Sequence, residues 1–236
     1  MVDQILSAPE KHDLASIEIL ADLDENQRRD FEKSSRWRRF ASDEQIIDQQ
    51  SDSRDVYFIA SGRVRVVNFT LSGKEVALED LGAGQYFGEL AAIDGRPRSS
   101  TVVALEDSDI AKMSPERFLA VMKMYPDVAL KVMANLAAVI RTSTDRIVDL
   151  TTLGANNRVH GELLRQAASS ATDDNTATIK PIPVHSDMAS RASTTRETVA
   201  RVLSDLAKKG IVKREKDSLV ICDVMALEDM VDEVRG

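Results

Sequence analysis

The sequence predicts an α+β protein in three parts: a β jelly roll with flanking helices over residues 1–125, one long helix over 126–153, and a smaller, mainly helical domain over 154–236. Three observations lead to this division. Between Phe40 and Lys112, short β-prone runs alternate with turns, and six of the ten glycines fall within the 34 residues from Gly62 to Gly95; many short strands at close spacing argue for a sandwich or jelly roll. From Ala129 to Leu150, apolar residues recur at alternating steps of four and three, the rhythm of a coiled-coil seam. Between Asp187 and Leu206, two short amphipathic segments flank a tight turn.

Composition sets the outer limits. With 236 residues, 43% of them apolar and 30% charged, the chain reads as a globular protein of two domains. No apolar run reaches the ~20 residues of a membrane span, and Asp3, Glu10, Lys11 and Asp13 do not fit a signal peptide. A cytoplasmic protein without a membrane partner is expected. The single cysteine, Cys222, can neither form an internal disulfide nor hold an iron–sulfur cluster. The net charge of −8 argues against a molecule that is basic throughout. From Asp187 to Lys216, however, eight basic residues face four acidic ones, a local balance of +4 that leaves −12 for the remainder.

In chain order, Leu14, Ile17 and Leu20 form an apolar stripe that predicts a helix, and Asp24 opens a second one running to Phe31. Ser35 to Phe40 reads as a strand with Trp37 turned inward. Further strands are expected at Gln45–Ile47, Val56–Ile59, Val64–Phe69, Glu75–Leu78, Thr101–Ala104 and Asp109–Ala111. Ser114-Pro115-Glu116 caps a helix with Phe118, Leu119 and Met122 on its buried face. The long helix follows Pro126-Asp127, and its seam consists of Ala129, Met133, Leu136, Ile140, Ser143, Ile147 and Leu150. At ~1.5 Å per residue it is about 33 Å long, enough to zip against a second copy. After Gly154, a helix over 157–168 precedes a polar surface loop running to Pro183.

The segment Gly82 to Thr101 carries the chemistry of a small-anion pocket. Glycines lead into Glu89-Leu90-Ala91-Ala92, so the amides of Gly88, Glu89 and Leu90 can point at a phosphate from a helix start. Arg98 then brings a charged fork and Ser99 a hydroxyl. Glu89 would repel a bare phosphate but accepts well from a ribose hydroxyl, which points to a nucleotide. Gly82-Ala-Gly-Gln-Tyr-Phe-Gly88 approaches a dinucleotide fingerprint, but its third glycine comes one position late and its flanks are β on both sides.

Phe87-Gly-Glu-Leu-Ala91 with Pro97-Arg-Ser-Ser-Thr101 resembles the phosphate-binding cassette of cyclic-nucleotide-binding domains. Thr195-Arg-Glu-Thr-Val-Ala-Arg201 resembles the recognition helix of the cyclic-AMP receptor proteins within the CRP/FNR superfamily, and the resemblance covers nearly the whole chain. It implies a homodimeric transcription regulator with cyclic AMP, or cyclic GMP, as allosteric ligand and no metal. Ser143 and Thr144 on the dimer helix would hold the base while the jelly roll holds sugar and phosphate. Thr195, Arg196, Glu197, Thr198 and Arg201 would enter the major groove of a palindromic DNA site, with RNA polymerase as a further partner. Arginine can hold guanine O6 and N7 together and glutamate can accept from cytosine N4, so this set suits G·C pairs. A two-stranded wing over 211–222 would complete a winged helix-turn-helix. One departure is Ser193, where such turns usually carry glycine. The alternative keeps the scaffold but senses another ligand, or acts without one. The histidines, His12, His160 and His185, all lie outside the strands, and no catalytic set is found, so no enzyme is expected.

Overall fold

The computed structural model describes residues 14–235 except 72, 74 and 173, and these form two compact units divided within the long helix after Ala137, residues 75–77 grouping with the second. In the first, α1 (Glu25–Ser34) leads to strands β1 (Arg36–Phe40), β2 (Gln45–Ile47), β3 (Val56–Ser61), β4 (Arg63–Phe69), β5 (Glu75–Gly82) and β6 (Tyr86–Phe87). After α2 (Glu89–Asp94) come β7 (Thr101–Ala104), β8 (Ser108–Met113), α3 (Pro115–Met124) and α4 (Pro126–Thr152). The eight strands form two four-stranded sheets, in the orders β1-β8-β3-β6 and β2-β7-β4-β5.

Strand β3 shows how the layers are specified. Its apolar run Val56-Tyr57-Phe58-Ile59 is buried on both faces. Because side chains alternate along a strand, Tyr57 and Ile59 join the core with Phe40, Val64 and Phe87, while Val56 and Phe58 join a second core with Phe31, Phe118 and Val128. The second core is where the helices earn their place against the sheet. Asp24 starts α1 through a reciprocal capping box with Gln27, its carboxylate accepting from Gln27 N at 2.9 Å.

The helix expected at Leu14, Ile17 and Leu20 is only a 3-10 turn at Glu18–Leu20, although all three side chains are fully buried. Its own i→i+3 bonds, Leu20 N to Ile17 O at 2.9 Å and Ala21 N to Glu18 O at 3.3 Å, close one tight turn, and Glu18 N donates out of it to Gly84 O at 2.9 Å. Residues before Leu14, including His12, lie outside the described residues.

The second unit contains α5 (Ala155–Ala167), β9 (Ala177–Ile179), α6 (His185–Arg191), α7 (Arg196–Lys208), β10 (Val212–Arg214), β11 (Leu219–Ile221) and α8 (Val224–Arg235). The wing has three strands rather than two, in the order β10-β11-β9, with Ile179 opposite Leu219. The added strand comes from the segment expected to be loop. It has three residues, too few to display alternation, and what holds it is burial of Ala177 and Ile179. The acidic helix α8 has a structural purpose, since Leu227 and Val231 are buried with Val159 and Leu163 of α5 nearby in the core. Among the described residues, no helix is long and apolar enough to cross a membrane.

Between α6 and α7, Ser193 adopts φ 48, the left-handed region that glycine would occupy without steric cost. Arg158 of α5 braces this turn, donating from Nε to Ala192 O at 2.9 Å and from Nη2 to Ser193 O at 3.1 Å. Its Nη1 donates to Leu153 O, at the end of α4, at 2.8 Å. Left-handed backbone costs a non-glycine residue about 1–2 kcal/mol, partly offset by the greater unfolded-state entropy of glycine. Ser193→Gly is therefore expected to stabilise the second unit by up to about 1 kcal/mol. Urea unfolding checks this, and a destabilised variant would show that the serine makes a compensating contact.

Candidate functional site

Strand β6 ends at Phe87, and Gly88 turns the chain at φ 84 into the first turn of α2. Glycine is required for two reasons. Its φ is left-handed, and a Cβ there would lie 2.7 Å from Arg98 Nη1 and 3.0 Å from Asp55 O. Gly95, at φ 71, closes α2 and sends the chain back towards Arg98. Gly88, Glu89 and Arg98 are thereby gathered at one place. Leu90 is 42% exposed, so only its backbone amide could serve an inward-facing site.

Arg98 is 5% exposed. Its Nε donates to Ser53 Oγ at 3.1 Å, Nη1 to Gly88 O at 2.8 Å and Nη2 to Asp55 O at 2.7 Å. A guanidinium has five N–H groups, so one remains on each terminal nitrogen. The guanidinium carbon lies 5.7 Å from the centre of the Tyr57 ring, which stacks on Phe87 at 5.1 Å. Burial lowers the Arg98 pKa, with Tyr57, Asp55 and Glu89 opposing; an arginine remains charged nonetheless. The sequence reading missed Ser53, Asp55 and Tyr57. Two of these act through a carbonyl and a ring face, which no residue pattern advertises.

The Glu89 carboxyl is raised above the usual range, chiefly by burial, with Glu79 adding to the rise. Ser99 is exposed, and its carbonyl accepts from Gln49 Nε2 at 3.3 Å. The neighbouring Ser100 and Thr101 turn inward and are buried. On the other side of β6, Tyr86 Oη accepts from Asn135 Nδ2 of α4 at 3.4 Å, and burial pushes the Tyr86 pKa up to about 12. This contact joins the long helix to the strand that precedes Gly88.

Helix α4 has two kinds of apolar face. Val128 and Val132 are buried in the first unit, and Leu136, expected on the seam, packs against that same core. Met133, Ile140, Ile147 and Leu150 are exposed by 56%, 66%, 61% and 50%. Ser143 and Thr144 are exposed in the second unit, and Thr144 Oγ1 donates back to Ile140 O at 2.9 Å.

At the start of α7, Thr195 Oγ1 caps the helix by accepting from Thr198 N at 3.3 Å. Val199, Val202 and Leu206 anchor the inner face, leaving Arg196, Glu197 and Arg201 exposed and Thr198 half-buried. The backbone amide of Glu197 and then the Thr195 side chain hold its carboxyl below the usual range, so it stays ionised at neutral pH. Among the described residues, no group of three or more His, Cys, Asp or Glu is placed to hold a metal ion.

Residues 37–125 match the family model of the cyclic nucleotide-binding domain, and residues 157–230 match that of the Crp-like helix-turn-helix domain. The cyclic AMP receptor protein of Thermus thermophilus is 33% identical over 178 residues, covering 74% of this chain and 78% of the relative. The cAMP-activated global transcriptional regulator CRP of Escherichia coli is 23% identical over 184 residues, covering 78% and 88%. Among solved structures, the Thermus thermophilus catabolite activator protein has a TM-score of 0.52 at 29% identity, covering 92% of this chain and 99% of that one. A CooA variant from Carboxydothermus hydrogenoformans superposes with a TM-score of 0.75 over 84% and 88% of the two chains, at 23% identity, and thus attests the fold alone. With a cyclic nucleotide-binding domain followed by a Crp-like helix-turn-helix domain, and a relative one-third identical over most of both lengths, the chain belongs to the CRP/FNR family of DNA-binding transcription regulators.

Proposed function

We propose that this regulator is a cytoplasmic homodimer that binds a palindromic DNA site under the control of cyclic AMP, with RNA polymerase as its next partner. The observation that carries the ligand assignment is Arg98, a buried guanidinium anchored to three protein acceptors with N–H groups to spare for a phosphate. The Gly88, Glu89 and Leu90 amides and Ser99 would share the phosphate, and the Glu89 carboxylate would accept from the ribose hydroxyl. Ser143 and Thr144 would meet the base. Hydroxyls both donate and accept, so cyclic GMP is the natural competitor. The exposed apolar residues Met133, Ile140, Ile147 and Leu150 supply the surface a second copy would cover. Two α7 helices would then enter successive major grooves about 34 Å apart, with Thr195, Arg196, Glu197, Thr198 and Arg201 at the DNA.

Calorimetric titration with both nucleotides, followed by fluorescence measurement of binding to DNA selected by the protein, tests this reading. DNA affinity that is indifferent to either nucleotide would defeat it in favour of another ligand or of ligand-free action. Arg98→Ala is expected to weaken cyclic AMP binding at least tenfold, since each lost charge-assisted bond contributes roughly 1.5–3 kcal/mol. An unchanged affinity removes Arg98 from the site.

Glu89 gives a pH signature. Its folded-state pKa is raised, so the folded protein takes up a proton at a pH where an unfolded chain does not. Unliganded stability therefore rises as pH falls from above the raised pKa towards the ordinary value. Ribose favours the ionised carboxylate, so nucleotide affinity should fall as pH drops through the raised Glu89 pKa, and this slope should flatten in Glu89→Gln. Equal slopes in both proteins would place the proton elsewhere. At the other site, Glu197→Ala should leave cyclic AMP affinity intact and relax base preference at one position of each half-site, by roughly 1–3 kcal/mol. Selection of the same sequences by the variant would rule out base reading by Glu197.

A further inference from the structure

At the end of the long helix, four charged side chains from three helices meet in the second unit. Asp149 of α4 has its side chain 3% exposed, and its Oδ2 receives Arg165 Nη1 from α5 at 2.6 Å. The same guanidinium directs Nε to Glu162 Oε2 at 3.2 Å. Glu162, 1% exposed, accepts from Gln166 Nε2 at 2.9 Å through its other oxygen, which also faces Arg191 Nε of α6 at 4.0 Å. Gly161 of α5 faces the same cluster, where a Cβ would lie 3.4 Å from Asp149 Oδ2, an ordinary contact distance.

Stability alone does not account for the arrangement. Buried ions forfeit hydration that their attraction regains only in good geometry, and apolar residues of similar volume hold helices together as well or better. What the ions add is direction. A planar guanidinium held between two carboxylates fixes orientation, whereas packed methyl groups can slide. Arg191 ends α6, and the turn that follows is the one braced by Arg158, so the fixed orientation extends to the start of α7.

We propose that Asp149, Arg165, Glu162 and Arg191 form a mechanical coupling that carries movement of the end of α4 through α5 to α6, with Asp149 and Glu162 as positioning residues for DNA binding. The proposal rests on the control by cyclic AMP proposed above. Asp149→Asn and Glu162→Gln keep side-chain volume and remove one charge each. In the whole 236-residue chain, the ratio of DNA affinities with and without cyclic AMP should shrink by about fivefold or more in each variant. By linkage, the gain in cyclic AMP affinity caused by DNA should shrink by the same factor, while cyclic AMP affinity without DNA stays near that of the unaltered protein. Arg165→Lys keeps the charge but cannot span both carboxylates, so an intermediate ratio is expected; it also serves if a charge-removing variant fails to fold.

A ratio equal to that of the unaltered protein, or DNA affinities lowered equally in both states, overturns the coupling. If the unaltered protein itself shows no response to cyclic AMP, it is the ligand control that fails. Hydrogen exchange then decides the coupling separately: protection of the α6 amides from Met188 to Arg191 should fall about tenfold in Asp149→Asn. Unchanged protection overturns it.

Discussion

The part of the first unit around α2 depends on keeping one guanidinium buried and charged. Water would hold Arg98 more comfortably than protein, so the fold must replace that hydration bond by bond. Ser53, Gly88 and Asp55 do so from three separate segments, and Tyr57 adds a ring face. This explains why Gly88 has no tolerable substitute: its carbonyl must reach Nη1 and its Cα must leave room for the same atom. The surrounding strands can be understood as the frame that brings residues 53, 88 and 98 together.

The long helix carries two sets of apolar residues. Val128, Val132 and Leu136 are used up in the core of the first unit, whereas Ile140, Ile147 and Leu150 remain in solvent. A heptad rhythm cannot distinguish these uses, because packing on a sheet and packing on a second helix both select an apolar stripe. Asn135 adds a polar link to Tyr86 of the first unit.

In the second unit Arg196, Glu197 and Arg201 are exposed on a helix whose own inner face is conventional, and its placement comes from its supports. Arg158 ties the turn to the end of α4 through three carbonyls, stabilising the left-handed Ser193 that glycine would otherwise provide. The buried charges at Asp149 and Glu162 give the same joint a defined orientation. Helix α8 completes the core that holds these parts in place.

Most of the architecture was legible in the chain. Strand alternation, the Ser114 and Asp24 caps, the length of the long helix and the paired helices around Ser193 all express local rules, and local rules are written in consecutive residues. The turn into α2 at Gly88 and the capped start of α7 at Thr195 were legible for the same reason, being contiguous. What tertiary structure decided was every feature made by residues distant in sequence or by backbone atoms. The turn at Glu18–Leu20 is tied to Gly84, β9 is held by its pairing with β11 and by burial of Ala177 and Ile179, and Leu136 packs against the core of the first unit. Arg98 could be named from the sequence. Which atoms anchor it, the Ser53 hydroxyl and the Asp55 and Gly88 carbonyls, could not, because two of the three are carbonyl oxygens that every residue possesses, and only the folded chain determines which carbonyls face inward.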